Sequence, residues 1–270
     1  MNQGRYVFSQ LTDLLPSRVF DRCVSRKTKA AIKLHTLYDV KTSIPNFVHI
    51  TNAATHDVHG LDYLVYEIEG FYILDRAYVD FERLYTIHQS RAYFVTRAKD
   101  NFRFTRMYSN KHDKSTGVRC DQIAKLVGYK SAKSYPEKLR RVKYYVSKEQ
   151  RVFVYLTNNF ELFPQEITLL YKYRWKVELF FKWIKQHLKI QSFWGTTPNA
   201  VKTQVYIAII TYTLVAIVKS KLKLKRSTYE ILQILSVSLL DKTPLNELLT
   251  NQIYQDVKEQ NPNQLKLSLF

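Results

Sequence analysis

Cysteine is nearly absent from this chain. Cys23 and Cys120 are the only two in 270 residues, and no CxxC pair occurs, which excludes a disulfide framework or a zinc ribbon and fits a reducing compartment. Glycine is equally scarce, at six, and there is no Gly/Ser linker and no repeat. The N-terminus, MNQGRYVFSQLTD, lacks the apolar core of a signal peptide. The most apolar stretch, Val205 to Val218, falls short of the roughly 20 residues of a bilayer span and reads as a buried helix, so no membrane partner is expected. Acids are the other deficit: 23 Asp and Glu against 42 Lys and Arg, a formal charge of +19.

The basic residues are spread along the chain rather than gathered in a tail. With 46% apolar content the chain can bury a sizeable core in one large or two modest domains. Spread positive charge on a folded, aromatic-rich chain suits an extended polyanion such as nucleic acid.

Hydropathy patterns divide the chain. Residues 29–40 alternate, with Ile32, Leu34, Tyr38 and Val40 on one side and Lys33 and His35 on the other; that period of two predicts a strand. Residues 47–52 are its hairpin partner. Thr55 caps a short helix over 57–66, and FYIL at 71–74 is a buried strand ending in Asp75. A helix over 78–89 and a strand over 92–98 follow. From 101 to 157 the pattern is strand-rich. Pro164 opens a long helix that ends before Gly195, because its fixed φ and missing N–H are tolerated in a first turn. Thr197–Pro198 starts another helix reaching about Leu222, and further helices lie between 228 and 249. His35, His49, His56 and His59 could suggest zinc, but strand and loop histidines without a cysteine partner read better as surface or core polar groups.

The motif with chemical content is YKYRWKVELFFKWIK, residues 171–185. At about 100° per residue, Tyr171, Arg174, Glu178 and Lys185 share an arc of roughly 60°, opposite an apolar side of Val177, Leu179, Phe180, Phe181, Trp183, Ile184 and Leu188. A carboxylate among cations and a phenol is suited to metal-dependent phosphoryl transfer; the plain alternative is a solvated face of an amphipathic helix.

The Tyr-(x2)-Arg-(x3)-Glu-(x6)-Lys spacing, with VELFFKWIKQHLKI and GTTPNAVKTQ after it, resembles the Tyr–Arg–Glu–Lys motif of bacterial insertion-sequence transposases of the DDE type, over about Arg26 to Thr250. The resemblance implies an α/β fold: a ribonuclease H-like mixed sheet flanked by helices, with a β-rich insertion and C-terminal helices. It implies Mg²⁺, with Mn²⁺ as a substitute, held by Asp75 and Glu178 as catalytic ligands. Tyr171, Arg174 and Lys185 would be DNA-binding residues. The substrate would be the terminal inverted repeats of the element itself, the setting a bacterial cytoplasm and nucleoid, and the protein partner a second copy or a full-length transposase. Asp75 in FYILDRAYVDF matches the second acid of that family, with Ala77 where glycine is commoner.

The first acid of the family has no counterpart. Residues 1–25 resemble the N-terminal DNA-binding region of full-length relatives and run straight into RKTKAAIKLHTLYDV, which normally follows the first acid. An internal deletion that removed the first acidic strand is therefore expected, with Asp21 or Asp39 as substitute ligands otherwise and Arg18 to Val24 as a substitute strand. The expected organisation is a remnant over 1–25, the first part of the core over 26–100, the insertion over 101–160, the second part of the core over 161–225 and a helical region over 226–270. A non-catalytic DNA-binding inhibitor of the full-length enzyme, or a nuclease of the same fold, are the competing readings.

With +19 on the chain, affinity for duplex DNA should fall steeply with salt as bound phosphates release counterions. Arg174→Ala or Lys185→Ala should each flatten the plot of log K against log salt by roughly one unit. Salt-independent affinity would remove the nucleic-acid reading.

Overall fold

The computed structural model describes residues 4–14, 31–52, 54–188, 194–195, 197–238 and 240–250; the side chains of 9–14 and 31 are outside the description. Contacts divide the chain into two units, residues 1–216 and 217–270.

The first unit is built on one mixed nine-stranded sheet. In chain order its strands are β1 (Arg5–Leu14), β2 (Ala31–Asp39), β3 (Ile44–Asn52), β4 (Phe71–Leu74), β5 (Tyr93–Arg97), β6 (Phe104–Ser109), β7 (Val118–Leu126), β8 (Leu139–Val146) and β9 (Arg151–Thr157). Their spatial order is β3-β2-β1-β4-β5-β9-β8-β7-β6. β1, β4 and β5 run parallel, and the remaining pairings are antiparallel. The strand-rich stretch after residue 101 thus continues the same sheet through β5 and β9.

The centre of that sheet is buried on both faces, which is why its strands read as continuous apolar runs. On one face Val7, Phe71, Ile73 and Val95 pack with Ile32, Leu34 and Tyr38. These meet the helices α3 (Pro164–Lys172), α4 (Arg174–His187) and α5 (Pro198–Lys221). On the other, Tyr6, Phe8, Tyr72, Leu74 and Phe94 pack with Leu84 and Ile87 of α1 (Phe81–Gln89). Asp80 caps α1 by accepting from the Arg83 amide. A short helix α2 (Tyr129–Ser134) follows β7. The segment after β3 forms a 3-10 helix, Asp57–Tyr63, without a side-chain cap, rather than the Thr55-capped helix expected.

The sequence had left the slot beside β4 empty, with two inner strands short of partners. The structure corrects this: Arg5–Leu14 lies there, antiparallel to β2 and parallel to β4. Tyr6 and Phe8 face one layer and Val7 the other, all buried, so the short stretch YVF already satisfies a two-faced central strand. Resemblance to a DNA-binding terminus had obscured that alternation. Arg18 to Val24, proposed as the substitute, lies outside the described residues.

The seam between β5 and β9 is narrow, with three paired positions. Buried Asn158 extends it: its Oδ1 accepts from the Phe94 amide and its Nδ2 donates to the Ala92 carbonyl. Beyond the seam, buried Arg140 donates twice to Asp121, at 2.8 Å each, and once to the Leu162 carbonyl at 2.6 Å. That last bond ties the start of α3 to the sheet. Glu166 completes the helix start by accepting from the Phe163 amide just before Pro164.

α5 runs where the sequence places it, from Pro198 to Lys221, though its apolar character extends further than the stretch 205–218 alone. It runs 24 residues and by length and composition is sufficient to cross a membrane. Val201, Val205, Ala208, Ile209 and Tyr212 on one face are buried in the core, and the Tyr212 hydroxyl meets that of Tyr38 at 3.2 Å. The second unit, described by itself, contains α6 (Thr228–Val237), opened by a Ser227–Glu230 capping box, and α7 (Leu245–Thr250). Leu224, Ile231 and Leu249 are buried, and Arg226 donates to the Leu249 carbonyl.

Two outcomes follow. Phe8, fully buried, should cost about 3–5 kcal/mol on replacement by Ala in urea unfolding; a loss below about 1 kcal/mol would show that β1 does not carry the core. His35 is buried, with Nδ1 at 3.1 Å from the Tyr78 hydroxyl and Nε2 at 2.9 Å from Thr51 Oγ1. Burial pushes its pKa down from 6.5 to about 4. The unfolded chain therefore binds the extra proton first, so stability is full above about pH 6.5 and falls toward pH 4 by up to roughly 1.4 kcal/mol per unit. Unfolding free energies at pH 7 and pH 4.5 should differ by less in His35→Gln than in the native chain.

Candidate active site

Asp75 stands at the C-terminal tip of β4, where open α/β sheets place their ligands. It precedes a 3-10 turn, Arg76–Tyr78, and makes no side-chain cap to it, which leaves the carboxylate available. Arg174 opens α4, and Glu178 lies one turn further on the same side. Arg174 Nη1 donates to Asp75 Oδ2 at 3.2 Å and to Glu178 Oε1. Two oxygens within hydrogen-bond reach of one nitrogen are themselves within about 6.5 Å of each other. Residues far apart in sequence are thus joined at one point, half-exposed at both carboxylates and mostly buried at the arginine. Burial alone would lower the Arg174 pKa, but the Glu178 hydrogen bond and the charges of Asp75 and Glu178 outweigh it and the net shift is upward.

The other motif residues are placed less uniformly. The expected single helix is two, α3 and α4, which share Tyr173 as their boundary; it stays helical in conformation (φ −62°, ψ −16°). Bonds of the i to i+3 kind, Tyr173 N–H to Leu170 and Lys176 N–H to Tyr173, tighten the backbone there as in a 3-10 turn. No glycine or proline signals this break. Tyr171, at the end of α3, is buried in the core against Tyr155, ring centroids 5.1 Å apart. Its hydroxyl pKa is raised, by burial first and then by the charge of Asp75. It is therefore a wall beneath the acid pair rather than part of an exposed stripe. Lys185 is half-buried two turns beyond Glu178. On the opposite side Val177, Phe180, Phe181 and Ile184 are buried as expected, whereas Leu179 is exposed.

Asp39 does not join the pair. It accepts from the Lys41 amide and the Thr42 hydroxyl and aligns with Tyr6, two residues before the Phe8 that pairs with Leu74. Asp21 lies outside the described residues. On β1 the residue just beyond the Phe8–Leu74 pair is Ser9. Asp13 comes four residues later, about 13 Å further along an extended strand. Among the described residues no group of three or more His, Cys, Asp or Glu could hold a metal. The donor set fits an oxygen-ligated Mg²⁺ in part, since one or two carboxylates plus substrate phosphates are its usual ligands, and Arg174 Nη1 shows that positive charge is held between these two.

Sequence reasoning missed the cations around Asp75. Thr96 of β5 pairs with Leu74, so Arg97 and Lys99 emerge beside Asp75; parallel pairing of two strands that each end in charge was the available signal. Arg76, Arg97, Lys99 and Arg141 line a cleft of about 280 Å³ with Phe102, Phe104 and Phe153. Arg97 lies over the Phe153 ring at 4.2 Å and Arg141 over Phe104 at 4.7 Å. The single acid lining the cleft, Asp100, is paired with Arg76.

Comparison with known proteins agrees with the motif. The chain is 32% identical over 239 residues to a transposase homologue of Sinorhizobium fredii, a match covering 86% of this chain and 65% of that one. It is 34% identical over 188 residues to a protein named as transposase for insertion sequence element IS5377 of Geobacillus stearothermophilus, covering 69% and 49%. The chain spans roughly half to two-thirds of the length of these relatives. The transposase DDE domain model matches residues 21–214, a stretch that holds β2 through most of α5, Asp75, Glu178 and their arginine. The chain belongs to the transposase DDE domain family.

Proposed function

We propose that this chain derives from an enzyme that cuts and joins the terminal inverted repeats of an insertion sequence, acting at the bacterial nucleoid, and that this copy is impaired. The observation that carries the reading is the convergence of Asp75 and Glu178 on one guanidinium nitrogen at the tip of a parallel strand. The strand order β3-β2-β1-β4-β5 supports a ribonuclease H-like core, with β9 to β6 as its insertion.

Asp75 and Glu178 would hold Mg²⁺ or Mn²⁺, which when bound activates the attacking hydroxyl and offsets charge on the leaving oxygen. Arg174 neutralises the two carboxylates and, released from them, is placed to grip a DNA phosphate as a fork of donors. Lys185 contributes a point charge farther along α4. Buried Tyr171 fixes the junction from which Arg174 projects.

Impairment follows from the strand that fills the central slot. β1 lies outside the stretch matched by the family and has Ser9 level with Asp75, so it supplies backbone pairing without the third carboxylate. Two carboxylates, where the family's motif has three, would hold the metals with one protein ligand fewer. The runner-up reading, a DNA-binding inhibitor of a full-length transposase, draws on the same absence.

The test is Mn²⁺ titration followed by cleavage of the DNA ends flanking the reading frame. Asp75→Asn and Glu178→Gln should each weaken Mn²⁺ binding without unfolding the chain, and native cleavage should be at or below detection. Ser9→Asp should raise the cleavage rate; each tenfold gain corresponds to about 1.4 kcal/mol of barrier. Brisk strand transfer by the native chain would overturn impairment, and Mn²⁺ binding indifferent to both acids would overturn the site.

A further inference from the structure

The cleft beside Asp75 does not end at Phe102. A second cleft of about 350 Å³ opens on its far side, lined by Lys99, Arg103, Lys130, Phe81, Phe102 and Tyr129 together with Val79, Val127 and Gly128. Lys99 and Phe102 line both, so the two form one groove running from Arg76, next to the acid pair, to Tyr129 at the start of α2. We propose that this groove holds an unpaired DNA strand leading away from the acid pair; the inference rests on the DNA reading above and assigns the form of DNA that this face takes.

Three observations support it. The far cleft has three cations and no acid in its lining, and neither Arg103 nor Lys130 pairs with an acid among the described residues. Three aromatic rings, Phe81, Phe102 and Tyr129, line the cleft with those cations. Phe102 stacks on Phe104 at 5.1 Å and lies 6.3 Å from Phe81, while Tyr129 is 86% exposed, an aromatic surface with no role in the core. Lys99 is held in place, donating to the Val79 carbonyl at 2.8 Å, and Gly128 has open space where a side chain would stand.

Cations tracking phosphates, with rings between them to receive base faces, form the pattern of sequence-tolerant single-strand binding. A duplex presents its phosphates to such a groove but keeps its base faces stacked on one another, so the rings would go unused. The groove therefore discriminates between paired and unpaired DNA through Phe102 and Tyr129, and grips either through Arg103 and Lys130.

Fluorescence anisotropy of the full chain in EDTA tests this, with a blunt duplex and the same duplex carrying an oligothymidine tail. Tyr129→Ala should weaken binding of the tailed DNA by about tenfold and leave the blunt duplex within about twofold, while Tyr129→Phe should retain the native preference. Arg103→Ala should reduce the salt slope on the tailed DNA by about one. Both positions are exposed, so folding is preserved. Steep, salt-dependent binding of both DNAs with no tail preference, or equal losses on both in Tyr129→Ala, would overturn the groove and leave the transposase reading standing. No affinity for either DNA would overturn both.

Discussion

A strand inserted between β2 and β4 must satisfy hydrogen-bonding groups on both of its edges and apolar layers on both of its faces. Without it, β2 and β4 would each bury a row of unpaired amides and carbonyls, a cost that sheets do not bear in their interior. β1 meets the first demand by pairing along its length with β2 and over Arg5 to Phe8 with β4, and the second through Tyr6, Val7 and Phe8. Everything that positions the acids rests on this. α4 packs over β1, and β4 presents Asp75 only because its own edge is closed.

The charge arrangement at that tip is a second consequence. Two carboxylates brought this close would repel each other without a compensating cation. Arg174 supplies it from the first turn of α4, and the buried side of the same helix, Val177, Phe180, Phe181 and Ile184, fixes where the first turn lies. Packing and electrostatics therefore meet in one helix. The Arg140–Asp121 pair extends this link, since its bond to the Leu162 carbonyl fixes the approach to α3.

Much of this was legible in the residues. The alternation of Ile32, Leu34 and Tyr38, the four-residue buried run ending in Asp75, and the strands after residue 101 all lie where their patterns place them. Asp75 and Glu178 were identified from motif context, and they meet. The rest was hidden for physical reasons. The β1 alternation covers too few residues to outweigh a resemblance pointing elsewhere. The break at Tyr173 is marked by i to i+3 backbone bonds at a position with no glycine or proline, so local propensity gives no sign of it. The cations of the cleft come from three separate stretches, the turn after β4, the end of β5 and β8, so no window of sequence contains them together, and only the parallel register of β4 and β5 announces those beside Asp75.

The seam between β5 and β9 has a mechanical consequence. Its three paired positions make it shorter than any other strand junction in the sheet, against four for β4 with β5 and seven for β8 with β9, and the Asn158 side chain is its substitute rung. Cooperative opening units tend to part where the fewest interactions cross. The β5–β9 junction is thus the shortest line of pairing in the sheet, bridged by the Asn158 side chain. Asp75 at the tip of β4 and Glu178 on α4, through that helix's packing over β1, stand on the same side of that line, so the acid pair is held within one part of the sheet while the approach to α3 is tied to the other.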